Sequence, residues 1–334
     1  MTTITAAATY PINSGGFNSP AGATAYAGTA YSGTFIPALW SGKLAQKFYA
    51  ATVFGEIANT DWQGDISGMG DTVIINTIPT VTINDYQIGQ NLAYEIPAPS
   101  TISLVINKGK YFGVNVNNVL ELQAKPKLMD MFTNDASMQM KIKIDTDVLA
   151  GTFDQCSSTN KGATAGKISA GYNLGTDLAP VTLTAANILA NITALSSVLD
   201  EANVPETDRW LVITPTERQI LMQSNLAQAQ FMGDGISVLR NGRIGMIDRF
   251  VVFVSNLVPR AAVGKDYAGA NLTSALKRHA IMAGHKSGIT FAAQIAKVES
   301  LQNPNDFGQL VRGLNVYGYK VAQADALALL QVAG

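Results

Sequence analysis

The stretch PKLMDMFTNDASMQMKIKIDTDVLAG, residues 126–151, decides the fold class, because it sets one long helix among segments with strand patterns. Its apolar positions recur at every fourth residue: Leu128, Phe132, Ala136, Met140, Ile144 and Val148. Pro126 suits a first helical turn and Gly151 suits a C-terminal stop. The pattern predicts a helix of about 22–25 residues, about 35 Å long at about 1.5 Å per residue.

Two aspartates near the end of this helix, Asp145 and Asp147, have the composition of a catalytic carboxylate pair. Residues two apart on a helix point to different faces, so the two carboxylates cannot act on one substrate atom. We expect solvated or capping roles for both.

Residues 72–122, before the helix, have strand character. TVIINTIP, TVTINDY and TISLVINKGKYFGVNVNNV are rich in Val, Ile and Thr and alternate with a period of two. Between the second and third lies QIGQNLAYEIPAPS, which has no core pattern. The segment predicts a long β-hairpin with an irregular tip, and such a projecting hairpin needs a second surface to cover it.

The N-terminal residues 1–35 are built from small and polar residues, with no charged residue. Such a sequence cannot bury enough surface to fold alone, so it is either a disordered tail or an extended arm ordered by a neighbouring subunit. Its tyrosines favour the arm. Residues 36–54, IPALWSGKLAQKFYAATVF, predict an amphipathic helix.

The C-terminal half mixes helices and strands. We predict a helix over 183–205 with Thr184 as its N-cap, and a strand over 209–215 followed by a short helix with Thr216 near its cap. A hairpin turn is predicted at Asn241-Gly242 and a strand over 250–254. Strands then follow in ITFAAQIAKVES and LVRGLNVYGYKV. The elements do not alternate as in a doubly wound sheet, so the fold class is α+β.

Composition limits the function. Charged residues make up 14% of the chain, against roughly 25% in an average soluble domain, which favours a surface largely covered by copies of the same chain. The net charge is −1 and no basic run occurs, which argues against specific DNA recognition. The start of the sequence has no signal-peptide pattern, and no apolar run approaches the about 20 residues of a membrane span. We expect a soluble protein with no membrane partner.

Catalytic and metal-binding motifs are missing from the sequence. No phosphate-binding loop, dinucleotide fingerprint or nucleophile elbow occurs, and DWQGDISGMGD lacks the spacing of a calcium loop. His279 and His285, in RHAIMAGHKSGITFAAQ, would lie about 20 Å apart on one strand, too far to share a zinc ion. A dyad of the single cysteine, Cys156, with either histidine stays open. We predict no catalytic, cofactor-binding or metal-binding residue.

The ordered set of segments resembles the major capsid proteins of tailed bacteriophages, which have the HK97-type fold. The resemblance covers nearly the whole chain after about residue 35. The phrases that carry it, in order, are FIPALWSGKL, GDTVIINTIPTVTINDYQIGQ, KGKYFGVNVNNVLELQAKP, DTDVLAG, RWLVITPTER, LRNGRIGMIDRFVVFVSN, HAIMAGHKSGITFAAQ and LVRGLNVYGYKV.

The resemblance implies a domain organisation. The expected parts are an N-terminal arm over 1–35, an N-terminal helix and link over 36–63, an extended β-hairpin loop over 64–110, a peripheral domain over 111–150 and 276–315 with a spine helix over 126–150, and an axial domain over 151–275 and 316–334. In this family the axial domains meet at the centres of hexamers and pentamers, and the extended loop lies over the neighbouring subunit.

The resemblance also implies partners. The chain would assemble with itself into an icosahedral head shell, in the host cytoplasm first and in the virion finally. A separate scaffolding protein is expected because the chain lacks a long charged helical N-terminal segment. A portal protein, a decoration protein and non-specific contact with packaged double-stranded DNA complete the expected partners. The residues predicted to contact other subunits are Tyr26, Tyr31, Phe35, Trp40, Asp85, Tyr86, Asn91, Tyr94, Glu95, Arg240 and Arg243.

Two alternatives remain open on the sequence. One is an encapsulin-like compartment, which uses the same fold in a bacterial cell to hold a cargo enzyme. The other is a metal- or cysteine-dependent enzyme that uses His279, His285 or Cys156.

Overall fold

The computed structural model of the chain describes residues 49–62, 72–79, 81–92, 94–99, 101–117, 128–224, 245–271, 276–304 and 307–334. The helices are α1 (Phe54–Ile57), α2 (Leu128–Thr152), α3 (Ile188–Glu201) and α4 (Pro215–Gln223). The strands are β1 (Thr72–Asn76), β2 (Thr101–Val105), β3 (Lys108–Asn117), β4 (Arg209–Ile213), β5 (Met246–Ile247), β6 (Phe250–Val254), β7 (Arg260–Ala261), β8 (Arg278–His285), β9 (Ile289–Gln302), β10 (Gly308–Val321) and β11 (Leu327–Ala333).

The largest sheet of the described residues has the strand order β11-β8-β4-β6-β5, with β7 pairing to β8. Its central strand β4 is buried at all five positions, runs parallel to β6 and runs antiparallel to β8. Successive residues of a strand face opposite sides of a sheet. Leu211 and Ile213 accordingly pack with α3, whereas Trp210 and Val212 pack in a second cluster with the end of α2. The sheet therefore lies between two helices.

A second sheet has the order β3-β10-β9, with β10 in its centre. Asp147 of α2 ties this sheet to the helix. Its carboxylate accepts a hydrogen bond from the Tyr317 hydroxyl at 2.8 Å and lies 3.1 Å from the Lys108 ammonium, while its carbonyl accepts from the Tyr319 hydroxyl. A Cβ on Gly151 would overlap the Tyr319 ring, so glycine at this position permits the close approach of α2 and β10. The helix continues past Gly151, which was the predicted stop.

The long predicted helix is confirmed, but its apolar stripe is buried only in the C-terminal half. Ile144 and Val148 are buried, whereas Phe132 is exposed in the isolated chain. Asp145 is also buried and accepts the backbone N–H groups of Val53 and Phe54 at 3.1 and 2.9 Å. It therefore caps the first turn of α1, which is one of the two roles expected of it, although on another helix, and it is not solvated.

Residues 49–59 form a strap that crosses the body of the protein. Its Ile57 is fully buried in the cluster that contains the end of α2, and Asn59 exchanges backbone hydrogen bonds with Ile289 and Phe291. The prediction of helix over 36–54 is wrong for the part that the structure describes, since residues 49–53 are not helical and α1 begins at Phe54. Residues 36–48 lie outside the described residues.

The predicted hairpin base is present, because β1 pairs antiparallel with β2, with Asn76 opposite Thr101. Leu104 and Ile106 are buried against Ala292, which anchors this base on β9. The predicted strand TVTINDY is wrong over residues 81–86, which have an alternating pattern but pair with no strand among the described residues. Alternation indicates a strand only where a partner strand supplies the hydrogen bonds.

Two element boundaries differ from the predictions, the starts of α3 and α4. Helix α3 begins at Ile188 with Asn187 as its N-cap, because residues 184–187 form a turn that precedes the helix. Pro215 starts α4 instead of ending the strand, and Thr214 forms a capping box with Glu217. The short β5–β6 hairpin turns at Asp248-Arg249, both with positive φ. The predicted turn at 241–242 lies outside the described residues.

Strand pairing joins segments that were assigned to different predicted domains. Strand β8 lies in the sheet of β4 and β11, although 276–315 was assigned to the peripheral part. Strand β10 continues its pairing with β9 as far as Val321, across the predicted boundary at 316. Pairing within a sheet does not define the peripheral and axial domains, so their bounds stay predictions.

Candidate subunit-contact surface

The loop between β1 and β2, residues 77–100, is the most exposed part of the described chain. Every described residue from 81 to 99 is exposed. The apolar side chains are among the most exposed: Ile78 96%, Ile83 90%, Ile88 97%, Tyr94 89% and Ile96 96%. Leaving apolar side chains in water costs free energy, so this loop is a candidate contact surface.

Local hydrogen bonds shape this loop without burying it. The backbone N–H of Thr82 donates to the Glu95 carboxylate at 2.6 Å, which holds the two limbs of the loop together. At the tip, the Gln90 N–H donates to the Gln87 carbonyl, and Gly89 takes a φ of +89° that other residues rarely adopt. The loop is therefore a preformed projection on a base fixed to the sheet.

The charged side chains of the loop 77–100 are all negative. From residue 48 to residue 107 the sequence contains no Lys or Arg, whereas Asp85 and Glu95 place carboxylates in the loop itself. Any surface that covers the loop must therefore accommodate isoleucine side chains and isolated carboxylates.

Five of the predicted contact residues lie in this loop and are exposed: Asp85, Tyr86, Asn91, Tyr94 and Glu95. Their partners remain predictions, because exposure alone does not show what covers a residue. The other predicted contact residues lie outside the described residues: Tyr26, Tyr31, Phe35, Trp40, Arg240 and Arg243.

Sequence reasoning missed the isoleucines of the loop, which contribute most of its exposed apolar surface. It also missed one face of the β3-β10-β9 sheet, where Tyr111, 83% exposed, lies beside Leu314 on the neighbouring strand. On the same face the Arg312 guanidinium donates to the Glu299 carboxylate at 2.7 Å. The alternation of apolar and polar residues in LVRGLNVYG could have indicated a strand with one such face.

His279 takes part in a buried side-chain contact that sequence reasoning missed. It is buried, and its Nε2 lies 2.6 Å from Oε1 of Glu217, which is itself buried. Burial acts to raise the pKa of Glu217, but hydrogen bonds from His279 and Thr214 outweigh it and hold that pKa below its usual value. The pair ties β8 to the start of α4. His285 contacts Ser287 instead, so the structure brings the two histidines to different neighbours.

Cys156 has the environment of a structural thiol. It is buried in an apolar cluster, and burial raises its pKa to about 11, so the reactive thiolate is scarce at neutral pH. Within the described ranges, no three His, Cys, Asp or Glu side chains are placed to hold a metal ion. No helix in those ranges is long and apolar enough to cross a membrane.

Solved structures of other proteins resemble this chain. No family model and no curated protein matches the sequence. A structure from Mycobacterium phage Che8 is 24% identical with a TM-score of 0.69, over 89% of this chain and 97% of that one. The capsid structure of cyanophage P-SCSP1u is 18% identical with a TM-score of 0.63, over 90% and 94%. The mature capsid of bacteriophage PhiM1 is 16% identical with a TM-score of 0.60, over 88% and 91%.

Each of these structures matches 88–90% of this chain. The predicted α+β class is confirmed, and the chain has the HK97-type fold of phage capsid proteins.

Proposed function

We propose that this protein is the major capsid protein of a tailed bacteriophage, which assembles into hexamers and pentamers of an icosahedral head shell. The observation that carries this proposal is the projecting loop 77–100, whose isoleucines are almost fully exposed in the isolated chain. A protein that remained a monomer would leave this apolar surface in water. A shell provides a neighbouring copy at every projection.

Three independent features support the proposal. The fold is that of phage capsid structures over most of the chain. The low content of charged residues, 14%, suits a surface that is covered by other copies. The base of the hairpin is fixed on β9 by Leu104 and Ile106, and Asp147 joins the long helix to the same sheet, so the loop is carried on one packed body.

The proposed role is structural and non-catalytic. The chemistry of the candidate catalytic residues supports this, since Cys156 is a buried thiol with a raised pKa and His279 is held by Glu217 in the core. Neither side chain is presented to a substrate.

The proposed partners are those of a head shell. Copies of the chain contact one another, a separate scaffolding protein directs assembly in the host cytoplasm, and a portal protein occupies one vertex. A decoration protein on the outer surface and non-specific contact with packaged double-stranded DNA are further proposed partners. The final location is the virion.

Replacement of residues 77–100 by the dipeptide Asn-Gly tests the proposal. Asn76 lies opposite Thr101, so a two-residue turn can close β1 onto β2 without disturbing the body. We expect the variant to fold with an unchanged melting temperature but to form no shells, whereas the native chain forms shells when it is produced with a scaffolding protein.

Electron microscopy and light scattering read the outcome. A matched control replaces the same residues with a Gly/Ser segment of equal length, which keeps the spacing but removes the apolar side chains, and it should also fail to assemble. Normal shells from either variant would contradict the proposal.

A further inference from the structure

The two limbs of the loop 77–100 are aligned as a continuation of the β1–β2 ladder. Asn76 lies opposite Thr101 at the end of that ladder. Six residues further along each limb come Thr82 and Glu95, and these two are in contact, because the Thr82 N–H donates to the Glu95 carboxylate at 2.6 Å. The limbs therefore keep the register of the ladder.

The tip of the loop fits the same register. Eleven residues beyond the ladder on each limb come Gln87 and Gln90, and the Gln90 N–H donates to the Gln87 carbonyl at 3.1 Å. Ile88 and Gly89 form the turn between them, which is the length that closes a tight hairpin. The loop thus has the layout of a single hairpin, although the described residues of its limbs make no strand pairing in the isolated chain.

This register sorts exposed apolar side chains onto one face of the loop. Successive residues of a strand point to opposite sides of a ribbon, and residues directly opposite each other share a side. Val81 therefore shares a side with Ile96, and Ile83 shares the same side with Tyr94 and with Leu92. These five residues form the apolar face of the loop, and each is more than half exposed in the isolated chain.

The opposite face of the loop is mostly polar beyond residue 80. Thr82 and Glu95 lie on it together with Asn84 and Asn91, and Tyr86 is its exposed aromatic residue. A two-stranded ribbon with one apolar and one polar face buries the first against a partner and leaves the second in water. The register therefore says which side of the loop meets a partner.

The apolar face of the loop also carries one charge. Asp85 lies on it, opposite Leu92. Burying a carboxylate without a partner is costly, so the surface that covers this face must supply a cation beside an apolar patch.

The exposed face of the β3-β10-β9 sheet has this chemistry. Tyr111 and Leu314 lie opposite each other there and are 83% and 41% exposed. Together with Lys297 and Arg312 they line an open depression of about 400 Å³. Both cations contact the carboxylate of Glu299, so two positive charges share one negative charge and the depression has one positive charge in excess.

We propose that the apolar face of the loop binds this sheet face of a second copy of the chain, with Asp85 against the excess positive charge of Lys297 and Arg312. The two surfaces match in polarity and in sign of charge. The contact closes the two limbs into a ladder that continues β1 and β2. The inference rests on the proposed shell function and adds to it the side of the loop that is buried and the surface that receives it.

Cysteine cross-linking of assembled shells tests the face. Leu314→Cys is combined in turn with Val81→Cys, Ile83→Cys or Tyr94→Cys, and at least one combination should give a disulfide between two copies on a non-reducing gel. Tyr86→Cys with Leu314→Cys is the matched control, because Tyr86 is exposed on the same limb but belongs to the opposite face. It should give little cross-linked product. The native cysteine is buried and common to all variants.

Charge reversal tests the pairing. Asp85→Arg places like charges together and should raise the protein concentration at which shells form by about tenfold or more. Arg312→Asp in the same chain should restore that concentration to within about threefold of the native value. Both side chains are exposed in the isolated chain, so the melting temperature should not change.

The outcomes separate this inference from the proposed function. If the native chain forms shells, the inference is overturned by a control cross-link as strong as those of the apolar face, by no cross-link from any of the three combinations, or by no restoration with Arg312→Asp. The proposed function would stand in each of these cases. Failure of the native chain to form shells would overturn both.

Discussion

Replacement of Asp145 by Asn tests the account of the strap 49–59 most sharply. The carboxylate is fully buried in the body and accepts the N–H groups of Val53 and Phe54 at 3.1 and 2.9 Å. Burial raises its pKa to about 6, although the two hydrogen bonds act to lower it. Asn keeps the shape and one acceptor oxygen but cannot ionise.

The magnitude follows from the difference in pKa between the folded and unfolded chain. The folded pKa of about 6 lies above the ordinary value of 3.8, so the folded chain holds a proton that the unfolded chain has already lost. The protonated Asp145 carboxyl therefore contributes to the free energy of unfolding at low pH, and this contribution is lost as the pH rises through about 4 to 6. About 2 pKa units at about 1.36 kcal/mol each give about 3 kcal/mol.

Urea unfolding of the unassembled chain at a series of pH values measures this effect. The free energy of unfolding of Asp145→Asn minus that of the native chain should rise by about 3 kcal/mol between about pH 3.5 and about pH 7. All other titrating groups are common to both chains and cancel. The exposed Asp130→Asn on the same helix is the control and should show a constant difference. A constant or falling difference for Asp145→Asn would refute the reasoning.

Three further substitutions test other parts of the structure. Glu217→Ala removes the capping box and leaves His279 without its acceptor. It should lower the free energy of unfolding, measured with urea, by about 2–4 kcal/mol. A decrease below about 0.5 kcal/mol would contradict a stabilising role for the buried pair of His279 and Glu217. Gly284→Ala should lower the free energy of unfolding by about 1–3 kcal/mol, because its Cβ would lie 2.6 Å from Leu327 Cδ2. Gly113→Ala is the control and should have little effect, since nothing lies within 4 Å of its Cβ. Equal losses of stability in the two variants would refute the packing argument. Replacing three exposed isoleucines by Ser should leave the melting temperature unchanged. It should remove about 5–9 kcal/mol of free energy from apolar burial of each loop, and thereby raise the protein concentration at which shells form, which light scattering measures. An unchanged assembly concentration would contradict the role of the loop. These isoleucines are Ile83, Ile88 and Ile96.

The sequence predicted the elements whose patterns are long and regular. The helix over 128–152, the strand over 209–213 and the paired strands β9 and β10 are present because periodicity, length and flanking residues all agree there. The α+β class followed from their order.

The sequence could not predict which distant residues meet. His279 and Glu217 are separated by 62 positions, and neither has a neighbour in sequence that indicates the contact. Asp145 was expected to be solvated or to cap, but only the folded strap shows which N–H groups it accepts. Residues 81–86 have a strand pattern without a partner strand among the described residues, and alternation alone does not say whether a partner strand is present.

A cryo-electron microscopy map of assembled particles tests the central claim most directly. The account predicts a closed icosahedral shell of this chain, in which the isoleucines of loop 77–100 are buried against a neighbouring copy. Failure to form closed particles with a scaffolding protein, or a shell in which the loop of every subunit faces solvent, would contradict it.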